Sequence, residues 1–588
     1  MKYSDYFCLS LKRLGYTHCF ALQGGAIMHL INSANKYFKL KSFLHEHSAT
    51  VAADYFNASN TNQKAWVLVS AGPGLTNSVS GIANAFLESR ELLLVGGQVK
   101  LNDLFLNRKL NLRQTGIQQN DGVSVVNKIT KFSKTFITTE KFSLIKKYLK
   151  FTNEGRKGPV FIEIPIDIQA KQINEDIRYI KKMSNNRISS TYNLKNIHLN
   201  KVKKLIKSST RISILLGGGV SKPKFEKIKK KLFKNDFAFF TTWNGADLLS
   251  HDLNKNFGRP NTWGQRYSNV IIQQSDLLIA VGTRLGMQQT GFNYSSFIPN
   301  GKIIHVDIDK KELLKINPKT HLKINCDANL FLEILSKHKF VNRPKWLEFC
   351  NKIKKELPII ELNNNEKKFI SPYEFYDEIS NLIPENSNLI PCSSGGAFTT
   401  FMQTFKFKNK QICRSSKGLA SMGVGLAGAI GVALAKRNKT YLFEGDGGFA
   451  QNFQEIGTAI YNKLNLKIFI FDDNGYASIR QTQKNYFNGK YVGCDQTTGL
   501  IFPNWTKFFN SYNLKTFVIR KNFQKNKNFL KLFSNKEIVI FLVKIDPEQT
   551  YFPKITSYIH KKGMISNPIH LMTPEIKIYK KKNIFKYI

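Results

Sequence analysis

The stretch YLFEGDGGFAQNFQEIGTAIYNKLNLKIFIFDDNGY, residues 441–476, decides the fold. It begins with a short apolar run that ends at Glu444, and Asp446 then stands between glycines that permit a tight turn from a strand into a helix. The next residues predict a helix, LKIFIF predicts a second buried strand, and Asp473 follows that strand. This order indicates two parallel strands of one sheet, with an acid beyond the end of each.

The two acids indicate a metal site. The carboxyl ends of neighbouring parallel strands lie at one edge of a sheet, and ligands bind outside that edge. Mg²⁺ prefers carboxylate and phosphate oxygens, and the free N–H groups at the start of a helix attract phosphate. We therefore expect Asp446 and Asp473 to hold a diphosphate through Mg²⁺.

The same strand-then-turn pattern recurs along the chain and predicts an α/β protein. It is repeated in AWVLVSAGPG, LLLVGG, PVFIEIP, RISILLGGG, DLLIAVGTR, KIIHVDID and IVIFLVKID. Continuous apolar strands that alternate with helices indicate parallel sheets covered on both faces. Polar stretches at 171–196 and 363–372 separate the blocks. We expect three doubly wound parallel-sheet domains and a basic tail, at residues 1–170, 195–345, 370–550 and 551–588.

The charge of the chain needs an explanation, because 88 Lys and Arg against 41 Asp and Glu give a net charge of +47 over 588 residues. Such an excess would suggest a nucleic-acid partner. The basic residues are spread along the chain and rise together with Asn, which favours solvated faces, so we expect no nucleic-acid partner. The densest basic patch is YKKKNIFKYI at residues 579–588, and it is expected to be a frayed end.

Cysteine usage and hydropathy bear on the compartment. The seven cysteines are scattered without a CxxC spacing, which predicts reduced, buried thiols and neither a disulfide framework nor a zinc site. No apolar run reaches the roughly 18 residues of a membrane span, and the N-terminus lacks the apolar region of a signal peptide. We expect a cytoplasmic protein with no membrane partner.

The opening stretch resembles the thiamine-diphosphate motif of the acetolactate synthase family. The resemblance implies that Asp446, Asp473 and the carbonyl oxygen of Gly475 hold Mg²⁺. It also implies cofactor contacts along the glycine turn and at the second strand end, at Gly445, Asp446, Gly447, Gly448 and Asp473. The family usually has Asn-Asn where this chain has Asp472 and Asp473. A carboxylate still ligates Mg²⁺, and the added negative charge is expected to alter affinity for the diphosphate.

A second motif supplies the acid that thiamine catalysis requires. The segment LHEHSATVAADYF resembles the family segment whose glutamate shares a proton with the aminopyrimidine ring, which places that role on Glu46. Taken alone, Glu46 would be typical of an acid that starts a helix. Four further segments, FALQGGAIMHL, VSAGPGLTNSVSGIANAF, GIQQND and SSKGLASMGVG, resemble the family and imply an active-site glutamine at Gln118 and cofactor contacts at Gly25, Gly72, Pro73, Asn77, Gly418 and Met422.

The central block resembles the FAD-binding domain of acetolactate synthases. The resemblance implies an FAD site at Gly217, Gly218, Gly219, Arg284 and Asp307. Two segments depart from the family pattern, GRPNTWGQRYSN at 258–269 and the run RLGMQQ after Thr283. Both touch the flavin and acceptor regions of the family, so the presence of FAD stays open.

The resemblance also carries expectations about assembly and reaction. Glu46 and Asp446 belong to different domains, and in the family the cofactor lies between the first domain of one subunit and the third domain of another. This implies a homodimer or homotetramer. We expect decarboxylation of a 2-oxo acid, pyruvate, and transfer of the two-carbon unit to a carbonyl acceptor. A keto sugar nucleotide as acceptor, a simple decarboxylase and a non-catalytic subunit are the alternatives, and the sequence does not reveal a regulatory subunit.

Overall fold

The structure is a computed structural model that describes residues 1–59, 62–174, 196–360, 368–392, 395–561, 563–577 and 583–588. Three parallel β-sheets, each accompanied by helices, follow one another along the chain. The fold is therefore α/β with three parallel-sheet units, as the sequence predicts. Residues 175–195 of the first predicted linker and 363–367 of the second lie outside the described residues.

The first sheet is built from the N-terminal part of the chain. Its strands are β1 (Tyr16–Ala21), β2 (Lys39–Ser42), β3 (Lys64–Val69), β4 (Leu92–Gln98), β5 (Phe132–Thr135) and β6 (Pro159–Pro165). Its helices are α1 (Tyr3–Arg13), α2 (Met28–Tyr37), α3 (Glu46–Ser59), α4 (Pro73–Thr76), α5 (Val79–Leu87), α6 (Leu101–Leu110), α7 (Gly122–Val126), α8 (Phe142–Lys150) and α9 (Ile166–Ala170), with a 3₁₀ turn at Gly25–Ile27. The strands are all parallel, in the order β2-β1-β3-β4-β6-β5.

The central sheet has five strands. They are β7 (Ile212–Leu216), β8 (Ala238–Thr241), β9 (Leu277–Val281), β10 (Lys302–Asp307) and β11 (Leu322–Asn325), in the order β11-β10-β9-β7-β8. The helices of this unit are α10 (Asn196–Ser208), α11 (Lys222–Leu232), α12 (Arg266–Gln273), α13 (Met287–Thr290), α14 (Lys310–Leu313), α15 (Ala328–Ser336) and α16 (Pro344–Glu356), with 3₁₀ turns at Trp243–Leu248 and Tyr294–Ser296. Every strand pair is parallel, which places the turns after β7, β9 and β10 at one edge of the sheet.

The third sheet contains the stretch 441–476, with Asp446 and Asp473. Its strands are β12 (Asn388–Pro391), β13 (Ile412–Cys413), β14 (Thr440–Gly445), β15 (Leu466–Asp472), β16 (Lys515–Ile519) and β17 (Val539–Lys544), in the order β13-β12-β14-β15-β17-β16. Its helices are α17 (Pro372–Leu382), α18 (Gly395–Thr404), α19 (Gly425–Ala435), α20 (Asp446–Phe449), α21 (Ile456–Tyr461), α22 (Ala477–Tyr486), α23 (Trp505–Ser511) and α24 (Lys527–Ser534), with 3₁₀ turns at Phe453–Glu455, Gln496–Thr498 and Phe523–Lys525. All pairs are parallel.

Alternate side chains of β14 enter two separate hydrophobic clusters. Leu442 packs into one of them, whereas Tyr441 and Phe443 pack into the other. Because successive strand residues point to opposite faces, both faces of this sheet are covered by apolar side chains. Counted from its own first strand, the third sheet has the same strand order as the first sheet.

The first and third units pack directly against each other through α3 and α19. The fit is close, because a Cβ atom added to Gly431 of α19 would lie 2.1 Å from the carbonyl oxygen of Ala52 in α3. At Gly428, one turn earlier, the added atom would lie 2.8 Å from the ring of Tyr55. The two glycines therefore let the backbones of these helices approach each other, and residues of both units share one hydrophobic core.

The prediction of a frayed end at residues 579–588 is wrong for the part that the structure describes, 583–588, which packs on the central unit through Ile584. The tail before it is also paired. Strands β18 (Lys554–Ile555) and β21 (Met572–Thr573) pair with each other, as do β19 (Ser557–His560) and β20 (Gly563–Ser566). Ile569 and Ile584 are fully buried in a hydrophobic cluster of the central unit. Asn269 of α12 adds a hydrogen bond from Nδ2 to the carbonyl oxygen of Ile569, at 2.8 Å. Apolar residues between the lysines thus anchor the tail.

Two further expectations have a structural counterpart. All seven cysteines are free and buried, as predicted. Among the residues with described positions, no helix combines the length and the apolar character that crossing a membrane would require.

Candidate active site

Asp446 and Asp473 lie at the same edge of the third sheet. Strands β14 and β15 are parallel neighbours, with Gly445 opposite Phe471 at their ends. Asp446 is the first residue of α20, and Asp473 follows the last residue of β15. Both are buried. The prediction that neighbouring strands bring the two acids to one edge is therefore confirmed.

Asp446 is held by backbone N–H groups. Gly447 donates a hydrogen bond to Oδ1 at 2.6 Å, and Gly475 donates one to Oδ2 at 3.2 Å. Burial raises the pKa of Asp446 well above its ordinary value, and the negative charges of Asp473 and Asp472 raise it further. Crowded, buried carboxylates of this kind are stabilised when a cation enters between them.

Asp473 and Asp472 each form an ion pair. Arg480 of α22 approaches Asp473 with 3.1 Å between Nη2 and Oδ1, and Lys544 at the end of β17 pairs with Asp472. Burial raises the pKa of Asp473 to about 7, although the Arg480 charge opposes the shift. In the described part of the chain no cluster of three or more His, Cys, Asp or Glu side chains is arranged to hold a metal. The donor set that the sequence predicts, two carboxylates and the Gly475 carbonyl, would suit an ion whose other ligands are phosphate and water.

Glu46 stands at the start of α3, as the sequence predicts. Its side chain is 8% exposed, and Oε2 accepts a hydrogen bond of 3.0 Å from Nδ2 of Asn77. Two residues that belong to separate sequence motifs are therefore in contact. Asn77 fixes one oxygen of the carboxylate and leaves the other for a ligand.

The remaining N-terminal residues surround the same edge of the first sheet. Gly72 follows β3 and lies against Gln118, because a Cβ atom added to Gly72 would be 2.3 Å from the Gln118 carbonyl oxygen. The Gln118 side chain is exposed and its φ is 59°. Gln119 is buried and accepts hydrogen bonds at Oε1 from the backbone N–H groups of Thr115 and Gly116, at 2.9 and 2.8 Å. Gln119 thus holds the loop that presents Gln118.

Pro73 and Gly25 lie at the exposed rim of this edge. Pro73 is the first residue of α4, and Gly25 opens the 3₁₀ turn Gly25–Ile27. The next residue of that turn, Ala26, packs against Gly97 in β4. The structure therefore brings the predicted residues of the first unit to neighbouring positions at one sheet edge.

The segment that carries Gly418 and Met422 connects all three units. Glu88 accepts hydrogen bonds at Oε1 from the backbone N–H groups of Lys417, at 2.7 Å, and Gly418. Its Oε2 accepts a hydrogen bond from Nδ2 of Asn244 in the central unit, at 2.7 Å. Met422 is half-buried in the same segment.

A hydrogen-bond chain through Asn452 links this segment to the start of α3. The Nδ2 group of Asn452 donates to the Gly423 carbonyl oxygen and lies 3.0 Å from Nδ1 of His47. Ser48 donates to Oδ1 of Asn452 at 3.3 Å. Within the ranges that the structure describes, no hydrogen bond joins the carboxylates of Glu46 and Asp446 in one chain.

Comparison with known proteins identifies the family. The chain matches the N-terminal TPP binding domain of thiamine pyrophosphate enzymes over residues 1–123, the central domain over 199–335 and the C-terminal TPP binding domain over 394–543. It is 30% identical over 534 residues to a probable acetolactate synthase large subunit of Methanococcus aeolicus, covering 86% of this chain and 85% of that protein. The chain belongs to the acetolactate synthase family. It is also similar to the acetolactate synthase large subunits of Cyanidium caldarium, with 28% identity over 516 residues (84% of this chain, 85% of that protein), and Buchnera aphidicola, with 26% identity over 562 residues (92% and 95%).

Membership of the acetolactate synthase family makes the protein a thiamine-diphosphate-dependent enzyme. Its central unit presents the predicted FAD residues at one sheet edge. Gly218 and Gly219 are exposed in the turn after β7, Arg284 follows β9, and Asp307 ends β10. Gly217 is buried against Gly282. Burial raises the pKa of Asp307 to about 6. An exposed glycine turn with an acid at a nearby strand end fits a dinucleotide.

The segment 258–269, which departs from the family pattern, joins the central unit to the third unit. Arg259 is buried and donates from Nε to the Met402 carbonyl oxygen, at 2.6 Å, and from Nη2 to that of Phe405, at 3.0 Å. Gln265 donates to the Gln403 carbonyl oxygen at 2.7 Å. The departure therefore falls on residues that fix the relative positions of these units.

Several residues of the site escape a reading of the sequence. For Arg480 and Lys544 the sequence carries only an indirect signal: two buried carboxylates require two cations nearby, but the sequence does not say which cations these are. Lys417 had none. Its ammonium group lies 5.5 Å from the ring centre of Trp243 and 5.1 Å from that of Phe398, and burial lowers its pKa to about 8. These contacts join residues that are far apart in the chain.

Proposed function

We propose that the protein decarboxylates a 2-oxo acid, pyruvate, and transfers the two-carbon unit to a carbonyl acceptor, with thiamine diphosphate and Mg²⁺ as cofactors. The observation that carries the proposal is the pair of buried carboxylates at the ends of β14 and β15 in a family of thiamine-diphosphate enzymes. The family relatives are named as acetolactate synthases. We assign the pyrimidine end of the cofactor to residues 1–170, the diphosphate end to 370–550 and the central domain to 195–345.

Binding of the diphosphate end of the cofactor depends on charge. Asp446 and Asp473 would take Mg²⁺ together with the Gly475 carbonyl, and the N–H groups at the start of α20 would face the diphosphate. Burial strengthens these interactions, because few water molecules compete with the protein ligands.

The pyrimidine end depends on one proton. The chemistry that thiamine diphosphate supplies when bound is a nucleophilic carbon and a sink for the electron pair that the departing CO₂ leaves behind. Glu46 would share a proton with the aminopyrimidine ring, and Asn77 would hold the carboxylate in place through its 3.0 Å hydrogen bond. Met422 would support the cofactor between its two rings, and Gln118 would face the substrate from its exposed loop.

We further propose that the complete site forms between two copies of the chain. The proposal rests on the family resemblance, in which the cofactor lies between the first domain of one subunit and the third domain of another. A homodimer is then the smallest active unit, and a homotetramer would contain two such pairs.

FAD in the central domain is the second cofactor proposal. It is supported by the exposed Gly218 and Gly219 turn and by Asp307 at a nearby strand end. Native mass spectrometry of the freshly purified protein measures this directly, because bound thiamine diphosphate and flavin add different masses to the chain. Thiamine diphosphate without flavin would leave the carboligase proposal standing and remove FAD.

A turnover assay tests the reaction. The purified protein is incubated with pyruvate, thiamine diphosphate and Mg²⁺, and both CO₂ and acetolactate are measured. We expect acetolactate in proportion to CO₂, and no product when Mg²⁺ is chelated. CO₂ release only after a keto sugar nucleotide is added would transfer the acceptor role to that sugar. No CO₂ release from pyruvate by cofactor-loaded protein would contradict the proposal.

A further inference from the structure

Each carboxylate that replaces the usual Asn-Asn pair has its own cation. Asp473 pairs with Arg480, and their side chains are only 10% and 4% exposed. Asp472 pairs with Lys544, whose side chain is 41% exposed. Solvent screens the second pair strongly, whereas the first pair is almost dry. The Asp473–Arg480 pair is therefore the stronger of the two electrostatic interactions.

Arg480 also fixes the backbone around the metal loop, which we define as residues 472–475. Its Nη2 donates to the Asp473 carbonyl oxygen at 2.8 Å, in addition to the Asp473 carboxylate. Its Nη1 reaches the Asn474 carbonyl oxygen at 3.4 Å, and its Nε donates to the Pro547 carbonyl oxygen at 3.2 Å. A single guanidinium group thus holds both the charge and the backbone of the loop.

The two ion pairs cancel the charge that the substitution adds. An Asn-Asn pair is neutral, and Asp472 with Asp473 would add two negative charges beside a diphosphate. Without partners these carboxylates would repel the diphosphate and would be buried at a high cost in free energy. Arg480 and Lys544 add two positive charges at contact distance.

We propose that Arg480 is a positioning residue of the metal loop, which neutralises Asp473 so that the loop presents to Mg²⁺ and the diphosphate the charge of an Asn-Asn pair. The inference rests on the proposed function of this edge as the Mg²⁺–diphosphate site. It predicts that the effects of changing Asp473 and Arg480 on metal binding have opposite signs.

A double-mutant cycle tests the proposal on the full-length protein freed of cofactor. The variants are Asp473→Asn, Arg480→Gln and the two combined, and calorimetry measures the Kd of Mg²⁺. One net charge a few ångströms from the ion changes the Kd by about tenfold. We expect Asp473→Asn to weaken Mg²⁺ binding by about tenfold and Arg480→Gln to strengthen it. The combined variant should return to within about threefold of the unmodified protein.

A second titration measures thiamine diphosphate at saturating Mg²⁺. Arg480→Gln should weaken this binding by about tenfold, because the loop then carries an uncompensated negative charge. Arg480→Lys should recover part of the loss, since it restores the charge without the planar fork of the guanidinium group. If Arg480→Gln alone fails to fold, the melting temperature of the combined variant replaces it, and recovery of folding is the expected result.

The matched control is the exposed ion pair between Lys484 and Glu548, which starts one turn further along α22. Lys484→Gln and Glu548→Gln should change the Mg²⁺ Kd by less than about twofold. A purely structural role for Arg480 would instead weaken Mg²⁺ binding in every variant that lacks it, and the proposal would then be overturned. Failure of the unmodified protein to bind thiamine diphosphate with Mg²⁺ would overturn the proposed function itself, whereas normal binding with additive variants would overturn only this inference.

Discussion

The contact between α3 and α19 predicts a large effect from one methyl group. In Gly431→Ala the new Cβ atom would lie 2.1 Å from the carbonyl oxygen, 2.8 Å from the carbonyl carbon and 2.9 Å from the Cα atom of Ala52. All three are backbone atoms, so no side-chain rotation relieves the overlap. Carbon atoms in contact lie about 3.5–4.0 Å apart, and the two helices would have to separate by about 1 Å or more.

The change in the free energy of unfolding of Gly431→Ala follows from two opposing effects. Overpacking of a close contact destabilises a protein by about 1–3 kcal/mol, and a rigid backbone neighbour places Gly431 at the upper end. Replacement of glycine by alanine within a helix contributes about 1 kcal/mol in the opposite direction. We therefore expect the free energy of unfolding to fall by about 2 kcal/mol in Gly431→Ala.

Gly457→Ala is the matched control. Gly457 lies in α21 of the same unit, and a Cβ atom added there would meet nothing within 4 Å. It gains the helical preference without the overlap, so we expect it to stabilise the protein by about 0.5–1 kcal/mol. Urea unfolding followed by tryptophan fluorescence compares both variants with the unmodified protein.

Gly431→Ala also tests the link between the packing of α3 on α19 and the candidate active site. Glu46 is the first residue of α3, so a displaced helix moves the carboxylate. A misplacement of about 1 Å can lower a rate by about 10²-fold, and we expect Gly431→Ala to lose turnover to that extent while Gly457→Ala retains it. Equal stability and equal turnover in the two variants would refute the helix contact as described.

The remaining predictions concern single titratable groups. Glu46→Gln should remove most turnover and leave thiamine diphosphate affinity within about threefold, because the hydrogen bond from Asn77 survives and the shared proton does not; unchanged turnover would remove Glu46 from the mechanism. Asp446→Ala should weaken Mg²⁺-dependent thiamine diphosphate binding by at least about tenfold in calorimetry, since it removes one of two carboxylates from the donor set; an unchanged isotherm would exclude Asp446 as a ligand. Burial raises the pKa of Glu444 from 4.5 to about 7, so its contribution to stability is complete below pH 4.5 and is lost as the pH rises through 7. Glu444→Gln should therefore flatten the fall in the urea midpoint between pH 5 and pH 8. An unaltered pH dependence of the midpoint would contradict the raised pKa. Burial lowers the pKa of Lys417 from 10.5 to about 8, so the folded state binds its proton less readily than the unfolded state. Lys417→Met should therefore raise the free energy of unfolding at pH 7 by about 1–3 kcal/mol, and the gain should shrink as the pH rises from 8 to 10.5. A loss of stability at pH 7 would show that the contacts of the ammonium group with the aromatic rings outweigh the effect of burial.

The interior strands of each sheet follow from the sequence, whereas several edge strands do not. β4 and β15 have every residue buried, and each contains a continuous apolar run, LLLV at 92–95 and IFIF at 468–471, which the sequence pattern predicts. β2, with the sequence KLKS, lies at the edge of the first sheet and has no buried residue. A strand with few apolar contacts carries no hydrophobic period, so its pairing is visible only in the structure.

The site divides in the same way. Asp446 and Asp473 could be placed at one edge because each follows a recognisable strand, and parallel neighbours share their carboxyl ends. The cations that pair with the acids of this edge could not be placed from the sequence. Lys544, for example, comes from another strand and is brought to Asp472 only by the pairing of β15 with β17. The frayed end was predicted wrongly for a related reason, since lysines dominate the composition of YKKKNIFKYI while Ile584 makes the buried contact.

The shared strand order of the first and third sheets has a consequence for how this chain can change. In each unit the helix that follows the second strand, α3 after β2 and α19 after β13, is the one that meets the other unit. The first and third units thus contact each other through helices that occupy equivalent positions in the two sheets, as in a symmetric dimer fused into a single polypeptide. A larger side chain on one of these two helices must be matched by a smaller side chain on the other. We therefore expect substitutions at this contact to be tolerated in pairs.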